Sequence, residues 1–207
     1  MPKFNTSFKS ATDRLCDFIC HKTNQNKIVS LLIAPSDLPS SNFDCGNSCE
    51  AIFEIRTIAG LVTPAQGPSD LSIGASLEYG VRILNAKHIF QITHTDSSLI
   101  NSLLNPQHSD SKVLTLGDFL PKFLNLAGQA ISGSILSHQQ EDRKRYLVEE
   151  LLRVGFENLM TYPWILDRVW ANQLELHGGY IDTQTDAFRI FSPLTDKFEV
   201  VEHTPDD

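Results

Sequence analysis

Two short stretches of this chain concentrate residues able to do chemistry. One is Thr93-His94-Thr95-Asp96-Ser97-Ser98, and the other is Pro35-Ser36-Asp37-Leu38-Pro39. Brought together, His94, Asp37 and Asp96 offer nitrogen and oxygen donors for a divalent metal, although their spacing matches no ligand signature. Ser97 beside His94 supplies a nucleophile and a base, but the sequence shows neither an orienting acid nor an oxyanion hole. The four cysteines fall in two pairs, Cys16/Cys20 and Cys45/Cys49. On a helix, residues at that spacing have Cβ atoms about 5–6 Å apart. A disulfide needs about 3.5–4.5 Å, so neither pair is a natural bridge and reduced thiols are expected, as suits a cytosolic protein. Arg143-Lys144-Arg145 is too short for a nucleic-acid patch and reads as a solvated helix face.

Hydrophobic patterning sets out the scaffold around these residues. Ile28 to Ala34 is a short apolar run of the kind buried on both faces of a parallel sheet, ended by Pro35 because proline cannot continue a central ladder. Ala51 to Arg56 reads as a second strand and Lys87 to Thr93 as a third. Between those two, a helix begins near a cap at Ser69 or Asp70 and runs to about Leu84. Strand, helix and strand imply a right-handed crossover and a parallel sheet. Apolar positions in Phe8 to Lys22 are spaced as in a helix. Asp142 to Met160 is amphipathic, with Leu147, Leu151, Val154 and Leu159 inward, and Trp164 to Trp170 forms a shorter helix. Asn105 to Asp110 is loop-like and Leu116 to Ile135 helical. Leu174 to Asp182 and Phe188 to Phe191 make a hairpin around Thr183-Gln184-Thr185-Asp186.

This pattern predicts a single three-layer α/β domain over residues 1–207, with residues 1–24 as an N-terminal helical arm. Its central sheet has four mostly parallel strands and a C-terminal antiparallel addition. Ligands of such sheets sit at the carboxyl ends of the strands, which is where the two stretches lie. With 207 residues, 41% of them hydrophobic, the chain can bury a substantial core. A net charge of −8 argues against phosphate-mediated nucleic-acid binding. No apolar run has the roughly 18–20 residues of a membrane span, and Met1 to Lys9 lacks the apolar stretch of a secretory signal. A cytoplasmic protein is the expectation.

At the strand ends the chain resembles the β-class carbonic anhydrases. In that family the first strand ends in Cys-x-Asp-x-Arg and the third in Gly-His-x-x-Cys-Gly. The matching stretches here are Pro35-Ser36-Asp37-Leu38-Pro39 and Thr93-His94-Thr95-Asp96-Ser97-Ser98. Phe53-Glu54-Ile55-Arg56-Thr57-Ile58-Ala59-Gly60-Leu61-Val62 is similar to the family's Phe-Val-Val-Arg-Asn-x-Ala-Asn-Leu-Val, and Leu77-Glu78-Tyr79-Gly80-Val81 to its Ile-Glu-Tyr-Ala-Val. The likeness continues through Glu157 to Trp164 and Leu176 to Asp182, where the family carries His-Gly as structure at His177-Gly178.

The resemblance implies a zinc ion held by cysteine, histidine and cysteine, at positions that are Pro35, His94 and Ser97 here. Only the histidine survives, so no cofactor is expected. The family's aspartate–arginine dyad becomes Asp37 and Pro39. The carbon dioxide pocket, shared partly across a dimer interface, would be lined by Phe53, Ile58 and Tyr79. The expected protein is therefore a pseudoenzyme with a binding or regulatory role, a homodimer or tetramer, with bicarbonate or another small anion as its ligand. The alternatives are a working carbonate dehydratase using zinc or a metal-free site with Asp37 or His94 as base, Cys45 and Cys49 as replacement ligands, or another lyase or hydrolase built on Ser97 and His94.

Overall fold

The computed structural model describes residues 10–23, 29–38, 52–66, 71–104 and 140–201. Six strands form one sheet: β1 (Ser30–Pro35), β2 (Ile52–Thr57), β3 (His88–His94), β4 (Glu175–Asp182), β5 (Ala187–Ser192) and β6 (Lys197–Val200). Their order is β2-β1-β3-β4-β5-β6. The first four are parallel and β5 runs antiparallel to β4, as the crossover and hairpin patterns predict, and β6 pairs antiparallel to β5 in turn. Every residue of β1 and β3 is buried, which is why β1 reads as an apolar run rather than as alternation, while β3 also buries the polar side chains of His88, Gln91, Thr93 and His94.

Helices cover both faces: α1 (Ala11–Thr23), α2 (Leu71–Glu78), α3 (Ser98–Leu104), α4 (Gln140–Met160) and α5 (Pro163–Trp170). Side chains alternate across a strand, so Leu32, Ala34, Phe90 and Ile92 meet Leu15 and Ile19 of α1. Leu31, Ile33 and Ile89 pack the other way, against Ile73 and Leu77 of α2, Leu159 of α4 and Ile165 of α5. The expected stripe of α4 holds at Leu147, Leu151 and Leu159; Val148 and Leu152 join it, and Val154 is half-buried. Gly155 belongs to the same face for a steric reason. A Cβ there would lie 2.0 Å from Gln91 Nε2 of β3, so α4 sits as close to the sheet as it does only because that side chain is missing.

Pro35 does not stop β1 but closes it, paired with Thr57 of β2. Pairing with β3 ends two residues earlier, at Ile33, so the missing N–H breaks no bond of that ladder and the proline is tolerated. The helix expected to reach Leu84 is α only to Glu78 and continues as a π turn over Tyr79–Ile83. Two elements carry no signal in the sequence. α3 has seven residues, and β6 has four with Phe198 as its sole buried residue; both are too short to show a period.

Cys20 is disulfide-bonded, which corrects the expectation of a reduced thiol. Its partner is not Cys16, which carries a thiol, consistent with the separation of two such residues along a helix. Arg145 is also more than a solvated residue: its Nε donates to Asp182 at 2.8 Å and ties α4 to the end of β4. No helix among the described residues is long and apolar enough to cross a membrane. The expected elements at 105–110 and 116–135, the caps Ser69 and Asp70, and Pro39, Cys45 and Cys49 lie outside the described residues.

Candidate functional site

The carboxyl ends of β1 and β3 bring Asp37, His94 and Ser97 together. Asp37 sits in the turn after β1, and that turn is pinned from β2. The Ser36 N–H donates to Thr57 O at 2.8 Å, and the Arg56 guanidinium donates to Pro35 O at 2.8 Å and Leu38 O at 2.5 Å. Arg56 in turn pairs with Glu54 at 2.5 Å. His94 is the last residue of β3, and Ser97 directly precedes α3, where its carbonyl accepts the Asn101 N–H.

One carboxylate joins these pieces. Asp37 Oδ1 lies 3.1 Å from His94 Nε2. Its Oδ2 accepts from Ser97 Oγ at 3.1 Å and from the Ser98 N–H at 2.8 Å. Burial raises the Asp37 carboxyl, but the Ser98 N–H, His94 and Ser97 outweigh it and hold it below its ordinary value. At neutral pH the group is therefore an anion that only accepts, so His94 Nε2 carries the proton of their shared bond. The order is serine, carboxylate, imidazole. Ser97 donates to Asp37, whereas a nucleophile of the serine–histidine type needs the imidazole in the middle.

Asp96 is turned elsewhere. Its Oδ1 accepts from Asn101 Nδ2 at 3.2 Å and lies 3.5 Å from Lys144 Nζ. The predicted trio of Asp37, His94 and Asp96 is thus not assembled as a donor set. The group of three close donor residues found among the described residues is His88, Glu175 and His177. These lie at the opposite ends of the strands, and only His177 stands out in the sequence. His88 and Glu175 share a register position on β3 and β4, which sequence spacing cannot reveal.

The apolar residues assigned to a substrate pocket are not gathered around Asp37 within one chain. Phe53 pairs with Leu31, four strand positions or about 13 Å from Pro35. Its ring meets Tyr79, centroids 5.7 Å apart. Ile58 lies nearer the site, in the turn Ile58–Gly60. Gly60 there is at φ +70°, and a Cβ would lie 2.2 Å from Ile92 O; only glycine lets this turn rest on β3. Gln91 Nε2 donates to Gly60 O at 3.0 Å and fixes it.

A stability measurement checks the Asp37 network. A carboxyl whose pKa is lower folded than unfolded stabilises the fold above its ordinary pKa of 3.8, and that contribution is lost as pH falls through the folded value. Asp37→Asn is expected to cost about 1–2 kcal/mol at pH 7 and to flatten the acid limb of the stability curve. Chemical denaturation from pH 2 to 7 reads both; an unchanged acid limb would contradict the network.

The carbonic anhydrase family model matches residues 40–188, a range that holds His94 and Ser97 and begins beyond Pro35 and Asp37. Beta carbonic anhydrase 3 of Arabidopsis thaliana is 26% identical over 191 residues, covering 91% of this chain and 68% of that protein. Beta carbonic anhydrase 6, mitochondrial, of the same plant is 30% identical over 150 residues, covering 69% of this chain and 50% of its own length. The chain thus spans between half and about two thirds of these relatives. Among solved structures, the β-carbonic anhydrase CcaA superposes with a TM-score of 0.71 at 21% identity, covering 89% of each chain. One of two tetrameric β-carbonic anhydrases from Sordaria macrospora superposes with a TM-score of 0.64 at 22% identity, covering 88% of this chain and 95% of that one.

Proposed function

Because this chain belongs to the β-class carbonic anhydrase family, we propose that it is a member without the family's zinc, acting through binding rather than through hydration of carbon dioxide. The observation that carries this reading is the Asp37 carboxylate, hydrogen-bonded at once to His94 and Ser97.

The residues present do not fit a zinc ion. Zinc takes thiolate, imidazole or carboxylate donors, usually four including water. Of the three positions that the resemblance assigns to ligands, Pro35 has no side-chain donor and Ser97 offers a neutral hydroxyl. His94 Nε2 is engaged as a donor to Asp37. A complete structural zinc site is worth on the order of 10–16 kcal/mol, and losing both thiolates removes most of it. Water then keeps its pKa of about 15.7 instead of about 7, and the hydroxide that attacks carbon dioxide is missing.

The other candidate activities lose support on the same geometry. Of the two candidate metal-free bases, Asp37 is weak at neutral pH because its pKa is depressed, and His94 Nε2 is spent as a donor to Asp37. Ser97 has that same carboxylate, not an imidazole, as its acceptor. Bicarbonate at this site would meet the charge of Asp37, so an anion ligand requires that carboxylate to move or become protonated.

The binding role rests on a dimer or tetramer of this chain. Ile58, Leu71, Tyr79 and Ile83 are exposed apolar residues, of the kind that a partner subunit covers where they cluster.

Stopped-flow hydration of carbon dioxide tests the proposal. The purified protein is expected to leave the rate at that of buffer. Acceleration abolished by a zinc chelator would overturn it.

A further inference from the structure

At the opposite end of β3 from Asp37, two imidazoles and a carboxylate converge. His88 opens β3, and Glu175 and His177 are the first and third residues of β4. The parallel register sets His88 beside Glu175 and Phe90 beside His177, so one face of two neighbouring strands presents all three groups. His88 Nδ1 and His177 Nε2 are 3.1 Å apart. Glu175 Oε2 lies 3.9 Å from the first and 3.6 Å from the second. Donors at about 2.0–2.2 Å from a tetrahedral ion stand about 3.3–3.6 Å from one another, and these separations bracket that range.

We propose that His88 Nδ1, His177 Nε2 and the Glu175 carboxylate form a binding site for one divalent transition-metal ion of the zinc type. Two imidazoles and one carboxylate are a donor set such an ion accepts, with a fourth position left for water. The site is rigid where it needs to be and open where the ion must enter. The His88 and His177 side chains are 9% and 11% exposed, while that of Glu175 is 62% exposed. The His177 ring is held flat against Phe90, centroids 4.6 Å apart, with Phe18 of α1 at its edge. Both imidazoles are neutral at pH 7. Burial pulls His177 down to about 3 and lowers His88 as well, so neither ring carries a second proton that an ion would have to displace. In the empty pair one ring must donate to the other; binding moves that proton to the far nitrogen of its ring and frees both inner lone pairs.

Lys22, in the last turn of α1, is the opposing charge, since its ammonium depresses both histidines. Glu175 offsets it at His88 and supplies the anionic donor. The site is separate from Asp37 and His94, six strand positions or about 20 Å away along β3. It asks nothing of them.

Titration of the chelator-stripped full chain with Zn²⁺ alone tests the site, and Co²⁺ in its place reports a tetrahedral nitrogen and oxygen shell by visible absorption. One equivalent is expected to bind to the unmodified protein and equally to His94→Ala. Glu175→Gln, a surface change that leaves the core intact, is expected to weaken binding by at least the roughly 10–100-fold that losing an outer-shell partner costs. His177→Ala should do so further, and Lys22→Gln should tighten binding several-fold. The site is overturned if the folded protein binds no ion, if Glu175→Gln leaves the affinity unchanged, or if His94→Ala abolishes binding.

Discussion

Pro35→Cys, Pro39→Arg and Ser97→Cys introduced together are expected to turn the Asp37 site into one that holds a zinc ion in every chain. The backbone is already placed for it. Asp37 reaches His94 at 3.1 Å and Ser97 at 3.1 Å, so the position flanked by the two residues is as compact as a metal shell. Two thiolates would supply the donors and the negative charge that proline and serine lack. A restored site on the order of 10 kcal/mol is about seven powers of ten in affinity at 1.4 kcal/mol per decade. The arginine has a separate task. With only Pro35→Cys and Ser97→Cys, Asp37 stays beside His94 and is expected to take the fourth position, giving zinc binding without hydration. On the resemblance to the family's aspartate–arginine dyad, the guanidinium brought in by Pro39→Arg is expected to offer the carboxylate another partner and leave that position to water, whose pKa then falls toward about 7. By elemental analysis both variants are expected to hold one zinc more than the unmodified chain, and by stopped flow only the triple variant is expected to hydrate carbon dioxide. A triple variant with no zinc beyond that of the unmodified chain would mean that the strand ends have drifted from ligand geometry.

How much of the fold and the site is legible in the sequence depends on how local each cause is. The buried runs of β1 and β3, the stripe of α4 and the hairpin of β4 and β5 are written in residue periodicity, and each forms within a few residues of its expected place. Pro35 misleads because its effect depends on which neighbour β1 still pairs with at that point, and pairing is not a local property. α3 and β6 are shorter than the period that would mark them. At the site, the closeness of Asp37, His94 and Ser97 follows from strand ends meeting in a parallel sheet. The order of their bonds does not. Nothing in the spacing says that the carboxylate, rather than the imidazole, stands between the other two, and that decides against Ser97 as a histidine-activated nucleophile. Likewise, His88 and Glu175 meet only through the β3–β4 register, and Phe53 and Tyr79 meet far from Asp37 because they lie toward the other ends of their elements.

A zinc-edge anomalous difference map from crystals of the unmodified protein grown with excess zinc is the sharpest check. Its expected outcome is all or none at each end of β3. At His94 the ring nitrogen facing Asp37 carries a proton, the alcohol of Ser97 is a poor donor to a metal, and Pro35 has no donor, so an ion would forfeit most of its binding energy there. The map is predicted to show no peak within the roughly 2.0–2.1 Å of a zinc–imidazole bond from the His94 ring. A tetrahedral zinc bonded to that ring, whatever completes its shell, would contradict the account.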